Sequence, residues 1–198
     1  MPSKSAYTKK YILEKVAPVF NQKGYVGTSM ADITQVTGLT KGAVYGNFEN
    51  KEELALEAFN HNARILFGDI GKKMQQHTSP IAQLKALTEF YRNYSDYSTV
   101  LGGCPILNIA VDSKHQNSIL TQRVKQIILK LKKSIETIIE KGIDCHEIKE
   151  NIDPEKYAGR IFAWIEGAAF MTSTMNDSTY LSDMMDHVDK MIELELKK

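Results

Sequence analysis

Apolar residues recur along this chain at intervals of three and four, and over no useful length do they alternate with polar ones. With about 3.6 residues per helical turn, that spacing gathers them on one side of an α-helix, so the pattern predicts an all-α protein. Ile12, Val16, Val19 and Phe20 make the apolar side of a first helix, with Pro18 inside it as an expected kink and Gly24 as its stop. Residues 29–36 and 40–47 read as two short helices around Gly38. A longer helix opens at Asn50, with Glu53 at the capping-box spacing, and carries Leu54, Leu56, Phe59, Ile65 and Leu66 toward Gly68 and Gly71, which leave its end open. Ser79-Pro80 is an N-cap followed by proline at the first helical position, opening a helix through Leu84, Leu87, Phe90, Tyr91 and Tyr94. After Gly102-Gly103, Cys104-Pro105 starts a short helix. A long amphipathic one then runs from Asn117 to Lys141, ended by Gly142. Asp153-Pro154 begins the helix of 155–175, and 179–196 is the last. The starts and stops add up to about nine helices.

Length and composition narrow the class. The chain has 198 residues, enough for one domain or two small ones with a real core. The first residues include lysines but no apolar stretch, so no secretory signal is read there, and no apolar run reaches membrane-spanning length. Two cysteines, Cys104 and Cys145, do not make a disulfide scaffold, and a cytoplasmic location is expected. The net charge of +1 hides an asymmetry: residues 1–51 hold seven lysines against Glu14, Asp32 and Glu49, and the remainder is mildly acidic. A basic head on an acidic body suits a polyanionic partner at one end.

The segment 28–54 reads as helix, tight turn, helix, loop, helix. Ile33, Leu39, Val44 and Phe48 are spaced to bury one side, leaving Thr40, Lys41, Gly42, Tyr45 and Asn47 toward the outside. Thr40 is a natural N-cap, and the helix end behind it offers free N–H groups and partial positive charge to a phosphate. Gly42 removes a side chain where a DNA backbone would approach, and Lys51 puts a cation in the first turn of the next helix, where the helix dipole prefers an acid. The same spacing also fits a helical hairpin buried in a core.

The stretch "GYVGTSMADITQVTGLTKGAVYGNFENKEEL", residues 24–54, closely resembles the helix-turn-helix of TetR-type transcriptional regulators: Gly-Tyr, the Thr-Ser cap, Asp32-Ile33, Thr37-Gly38-Leu39, Lys41-Gly42, Tyr45, Phe48 and Lys51-Glu52-Glu53-Leu54 fall in register. The resemblance implies a three-helix DNA-binding head over 1–50, a helical effector-binding and dimerisation body over 51–198, and a homodimer on a palindromic operator of double-stranded DNA. Carried over by position, Thr28, Thr40, Lys41, Tyr45 and Lys51 would meet phosphates and Lys41, Gly42, Tyr45 and Asn47 would lie nearest the bases, with Ser29 of the cap in the same DNA-facing set. Gly46-Asn47 departs from the aromatic or histidine pair of many members.

In the body, Phe67, Tyr91, Tyr94, Tyr97, Asn108, Trp164 and Phe170 are candidates for an aromatic pocket with a few polar contacts, the usual recipe for a small-molecule effector site; an aromatic core is the alternative. Cys104, at an N-cap before proline, joins that set and is a candidate redox or electrophile sensor. The small residues of 163–169, with Ile161, Ile165, Ala168 and Ala169, and the strip of Leu181, Met184, Met185 and Val188 are expected to form the dimer interface, which the resemblance casts as a four-helix bundle. The histidines at 61, 77, 115, 146 and 187 are scattered without a ligand pattern, and no nucleophile, phosphate-loop or paired-carboxylate motif occurs. A non-enzymatic protein without metal or cofactor is expected. The reading is a ligand-responsive repressor released by a small hydrophobic molecule, against a helical carrier or enzyme that binds no DNA.

Overall fold

A computed structural model of the chain describes residues 4–114 and 117–198, so His115 lies outside the described residues. Among them are ten α-helices and a short π-helical turn, with no strand and one isolated antiparallel bridge, Ile148 to Lys197. The helices are α1 Lys4–Gly27, α2 Met30–Thr37, α3 Lys41–Tyr45, α4 Lys51–Gln75, α5 Pro80–Arg92, α6 Tyr94–Leu101, α7 Pro105–Ser113, α8 Ser118–Asp144, α9 Pro154–Met175 and α10 Thr179–Met191.

Two compact units share these helices. The first comprises residues 1–66 and 98–125, and the second 67–97 and 126–198. In the first unit α7 packs against α1.

In the first unit, Ile12, Val16 and Phe20 of α1 are buried together with Ile33, Val44, Phe48, Leu54, Phe59 and Leu66. Burying a side chain the size of Phe48 contributes roughly 1.5–3 kcal/mol, and this packing holds short helices that would not persist alone in water. Pro18 is accommodated inside α1, while the backbone leaves helical geometry at Gly24, with φ 74° and ψ 176°. Asn62 of α4 donates to the Ala17 carbonyl at 3.0 Å, and Asn21 donates to the carbonyls of Leu101 and Gly103, both at 2.7 Å.

In the second unit α10 packs on both α5 and α9. Arg92 of α5 reaches Asp186 at 2.8 Å and Asp189 at 2.5 Å on α10, and the Thr88 hydroxyl donates to Asp189 at 2.7 Å. Phe90, Tyr91, Tyr94 and Tyr97 form one aromatic cluster, with Phe90 and Tyr97 edge to face at 5.2 Å. The π-helical turn Ile192–Leu196 closes the chain.

Two helix bounds differ from those expected, and the end of α4, which the sequence left open, is fixed at Gln75. α4 runs through Gly68 and Gly71; nothing lies within 4 Å of a Cβ built at either, and the buried positions on both sides outweigh the roughly 1 kcal/mol each glycine costs a helix. The helix after Ser79 is divided at Asn93, whose φ of −103° and ψ of 15° part α5 from α6. Gly142 does not stop α8. A Cβ there would lie 2.5 Å from Ile148 Cδ1, so the glycine makes room for that buried side chain.

Candidate nucleic-acid interface

The turn-and-helix unit is built by capping. Ser29 Oγ accepts the Asp32 N–H at 3.1 Å while Asp32 Oδ2 accepts the Ser29 N–H at 2.7 Å, a reciprocal box at the start of α2. Lys23 Nζ sits 2.5 Å from Asp32 Oδ1, and its bond, with those from Ser29, holds the Asp32 carboxyl well below the ordinary carboxylate range. Gly38 adopts φ 67° and donates its N–H to the Thr34 carbonyl at 2.9 Å, ending α2 with the left-handed residue such a turn requires. The Tyr11 hydroxyl ties α1 to this end by donating to the Thr37 carbonyl at 3.0 Å.

Thr40 then opens α3, its Oγ1 accepting the Ala43 N–H at 3.2 Å. Of α3 only Val44 is buried, so Lys41, Gly42 and Ala43 face outward with Tyr45 half-buried beside them. Nothing lies within 4 Å of a Cβ built on Gly42, and its φ is unremarkable. The fold therefore does not demand glycine there, and what the residue provides is a bare outer surface. Lys41 Nζ lies 5.8 Å from the Tyr45 ring centroid, which keeps the cation on the exposed side of α3.

At the head of α4, Asn50 Oδ1 accepts the Glu53 N–H at 2.8 Å, and Glu53 Oε2 reaches one residue further back than a capping box would, to the Glu49 N–H at 2.6 Å. Lys51 Nζ stands 4.7 Å from the Tyr25 ring centroid. Burial pushes this ammonium down from its ordinary value, while Asp112 and Asp32 act in the opposite direction.

Two residues of the expected DNA-facing set take other roles. Thr28 is fully buried, and its hydroxyl donates to the Gly24 carbonyl at 2.7 Å, so it finishes α1 and presents nothing to a phosphate. Asn47 Nδ2 donates to the Ala43 carbonyl at 2.9 Å, and Asn47 Oδ1 accepts the Ser5 hydroxyl at 3.4 Å. Its amide therefore serves the C-terminal end of α3. Ser29, Thr40, Lys41 and Gly42 are exposed, and Tyr45 and Lys51 half-exposed, as a DNA-facing surface needs.

Residues 12–58 match the pattern of bacterial regulatory proteins of the tetR family, and residues 80–188 match the tetracyclin repressor-like C-terminal domain. The chain belongs to the TetR family. A TetR-family transcriptional regulator of Cytophaga hutchinsonii is 34% identical, superimposes with a TM-score of 0.93, and is covered over 99% of its length by 100% of this chain. A TetR regulator of Chloroflexus aurantiacus is 32% identical with a TM-score of 0.93, over 98% of each chain. Among curated relatives, the fatty acid metabolism regulator protein of Bacillus subtilis is 24% identical over 92% of this chain and 91% of its own. This TetR-family chain is a DNA-binding transcriptional regulator, and regulators of the family are ligand-responsive repressors. No helix among the described residues is long and apolar enough to cross a membrane.

The expected effector residues divide between the two units. Tyr91 and Tyr94 are buried in the aromatic cluster of the second unit, where Phe67 is half-buried. Trp164 meets His187 edge to face at 5.0 Å, and Phe170 is 53% exposed, so Phe170 belongs to an outer face of α9 and lines no enclosed pocket. In the first unit, Asn108 Nδ2 is spent on the carbonyls of Asn21 at 2.9 Å and Gly102 at 3.3 Å. Cys104 is the half-buried N-cap of α7 and makes no side-chain capping bond there.

Of the eight residues expected at a dimer interface, Ile161, Ile165, Ala168 and Ala169 of α9 and Leu181, Met185 and Val188 of α10 are buried within the single chain, and Met184 is half-buried. Apolar and small residues exposed on these helices include Gly167, Phe170 and Met175 on α9 and Tyr180 on α10, with Trp164, Met171 and Met184 half-buried. Tyr25 and Asp112 are the contributors that sequence reasoning did not select. Their contact spans 87 residues and leaves no local signature.

Proposed function

We propose that this regulator is a homodimeric repressor that reads a palindromic operator with α3 and the head of α4, and leaves it when a small hydrophobic molecule binds the body. The observation that carries the reading is the bare Gly42 surface beside the Thr40 cap and Lys41 on α3, with Lys51 at the head of α4. Free N–H groups and one cation on α3, with a second cation on α4, suit a phosphate backbone, and the absent side chain lets that backbone come close. Thr40, Tyr45 and Lys51 meet phosphates, and Lys41, Gly42 and Tyr45 lie nearest the bases. Asn47 supports α3 from behind.

Dimerisation follows from the outer side of α9 and α10. Phe170 and Met175 are 53% and 55% exposed, Tyr180 is 37% exposed, and nothing lies within 4 Å of a Cβ at Gly167, so an apolar strip with a flat centre is available to a second copy. Half-buried Phe67 and Trp164 are the members of the expected effector set that offer apolar surface to a hydrophobic molecule in the second unit.

Selection of bound sequences from a random duplex pool tests the reading. Recovery of an inverted repeat, with half-sites about one helical turn or a whole multiple apart, is expected. Recovery of unrelated sequences, or of a single half-site, would count against it.

A further inference from the structure

Asp112 stands apart from the DNA-facing surface, yet its contacts lead to it. It lies on α7, and its Oδ2 accepts the Tyr25 N–H at 2.6 Å. Position 24 fits that carboxylate in two separate ways. Its φ of 74° is a conformation that residues with a Cβ rarely adopt, and a Cβ there would fall 2.6 Å from the Asp112 carboxyl carbon. Glycine thus lets the carboxylate close over the 24–25 peptide. The ring of Tyr25 in turn carries Lys51, with Nζ 4.7 Å from its centroid. Asp112, the Gly24–Tyr25 backbone, the Tyr25 ring and Lys51 make one unbroken series of contacts from α7 to the head of α4.

We propose that Asp112 is a positioning residue for DNA binding: by holding the Gly24–Tyr25 peptide it fixes the ring that seats Lys51, and so sets where that lysine meets a phosphate. This rests on the reading of Lys51 as a phosphate contact. The sign of the effect separates the latch from plain electrostatics. An anionic side chain repels a polyanion, so charge alone has Asp112→Ala tighten DNA binding. The latch has it weaken binding.

The test is the affinity of the full-length protein for a long mixed-sequence duplex at low ionic strength, measured for wild type, Asp112→Ala, Lys51→Ala and the double variant. Asp112→Ala is expected to bind roughly tenfold more weakly, the effect of losing one charge-assisted hydrogen bond, while keeping its helical circular dichroism and cooperative melting. The double variant is expected to bind as Lys51→Ala does, because Asp112 acts through Lys51. Unchanged or tighter binding by Asp112→Ala, or losses that multiply in the double variant, would overturn the latch while leaving Lys51 its role. A Lys51→Ala variant with wild-type affinity and an unchanged salt slope would overturn the reading of Lys51 itself, and the latch with it. If Asp112→Ala melts below the assay temperature, Tyr25→Leu decides, since it removes the ring that seats Lys51 and leaves the Asp112 charge in place. Weaker binding that disappears in a Lys51→Ala background supports the latch, and wild-type affinity overturns it.

Discussion

Lys23 and Asp32 meet at 2.5 Å across the turn that carries the end of α1 into α2. The pair ties the end of α1 to the first turn of α2, and the same carboxylate closes the Ser29 box. Its proton therefore reports on the geometry of the head.

The Lys23 bond, then those from Ser29, depress the Asp32 carboxyl in the folded chain relative to an unfolded value of about 3.9. A group depressed on folding stabilises the fold above its unfolded pKa, and that contribution is lost as pH falls through the folded value. Melting temperatures taken over a falling pH series are expected to drop for the wild type below about pH 4. Asp32→Asn should start lower at neutral pH and converge with the wild type in acid. Parallel curves for the two proteins would remove Asp32 from the acid response.

Arg92 joins α5 to α10 through Asp186 and Asp189, with Glu89 one turn away at 3.2 Å. Asp186 is largely exposed, so screening reduces its share. Arg92→Ala is expected to cost about 1–2 kcal/mol in denaturant titration, and Arg92→Lys to recover only part, since one guanidinium nitrogen reaches both aspartates while the other reaches Glu89, and an ammonium has a single nitrogen. A full rescue by lysine would contradict that geometry.

Asn47 was expected to read bases from its place after α3, but its amide is committed to the Ala43 carbonyl and the Ser5 hydroxyl. Asn47→Ala should therefore weaken binding to every duplex alike by a few-fold, the loss of a modest hydrogen bond of roughly 1 kcal/mol. A panel of single-base variants of a selected duplex checks this. A change confined to one base position would return Asn47 to the bases.

What the sequence discloses depends on how local the physics is. Ser29, Thr40, Ser79-Pro80 and Asp153-Pro154 mark helix starts because the capping side chain and the N–H it accepts are three residues apart. The exposed surface of α3 follows from the same short-range pattern. The phase of α9 and α10 was harder, because each carries two apolar stripes. Leu181, Met185 and Val188 pack inside the chain while Tyr180 is exposed and Met184 half-buried, and periodicity names a stripe without naming its partner. The break at Asn93 hides within an apolar repeat that continues from Phe90 to Tyr97. Glycines were ambiguous for a related reason: Gly38 serves a turn, Gly142 makes room for Ile148, and Gly24 receives a carboxylate from α7. Only the first of those reasons is written in the neighbouring residues.

The claim on which the rest depends is that the surface from Thr40 to Lys51 seats on duplex DNA. Amide hydrogen exchange of the full-length protein, with and without a mixed-sequence duplex at low ionic strength, tests it most directly. Slowed exchange concentrated at residues 40–51 and the start of α2, reversed by added salt, is the result predicted. Protection confined to other helices, or none in the presence of excess duplex, would contradict it.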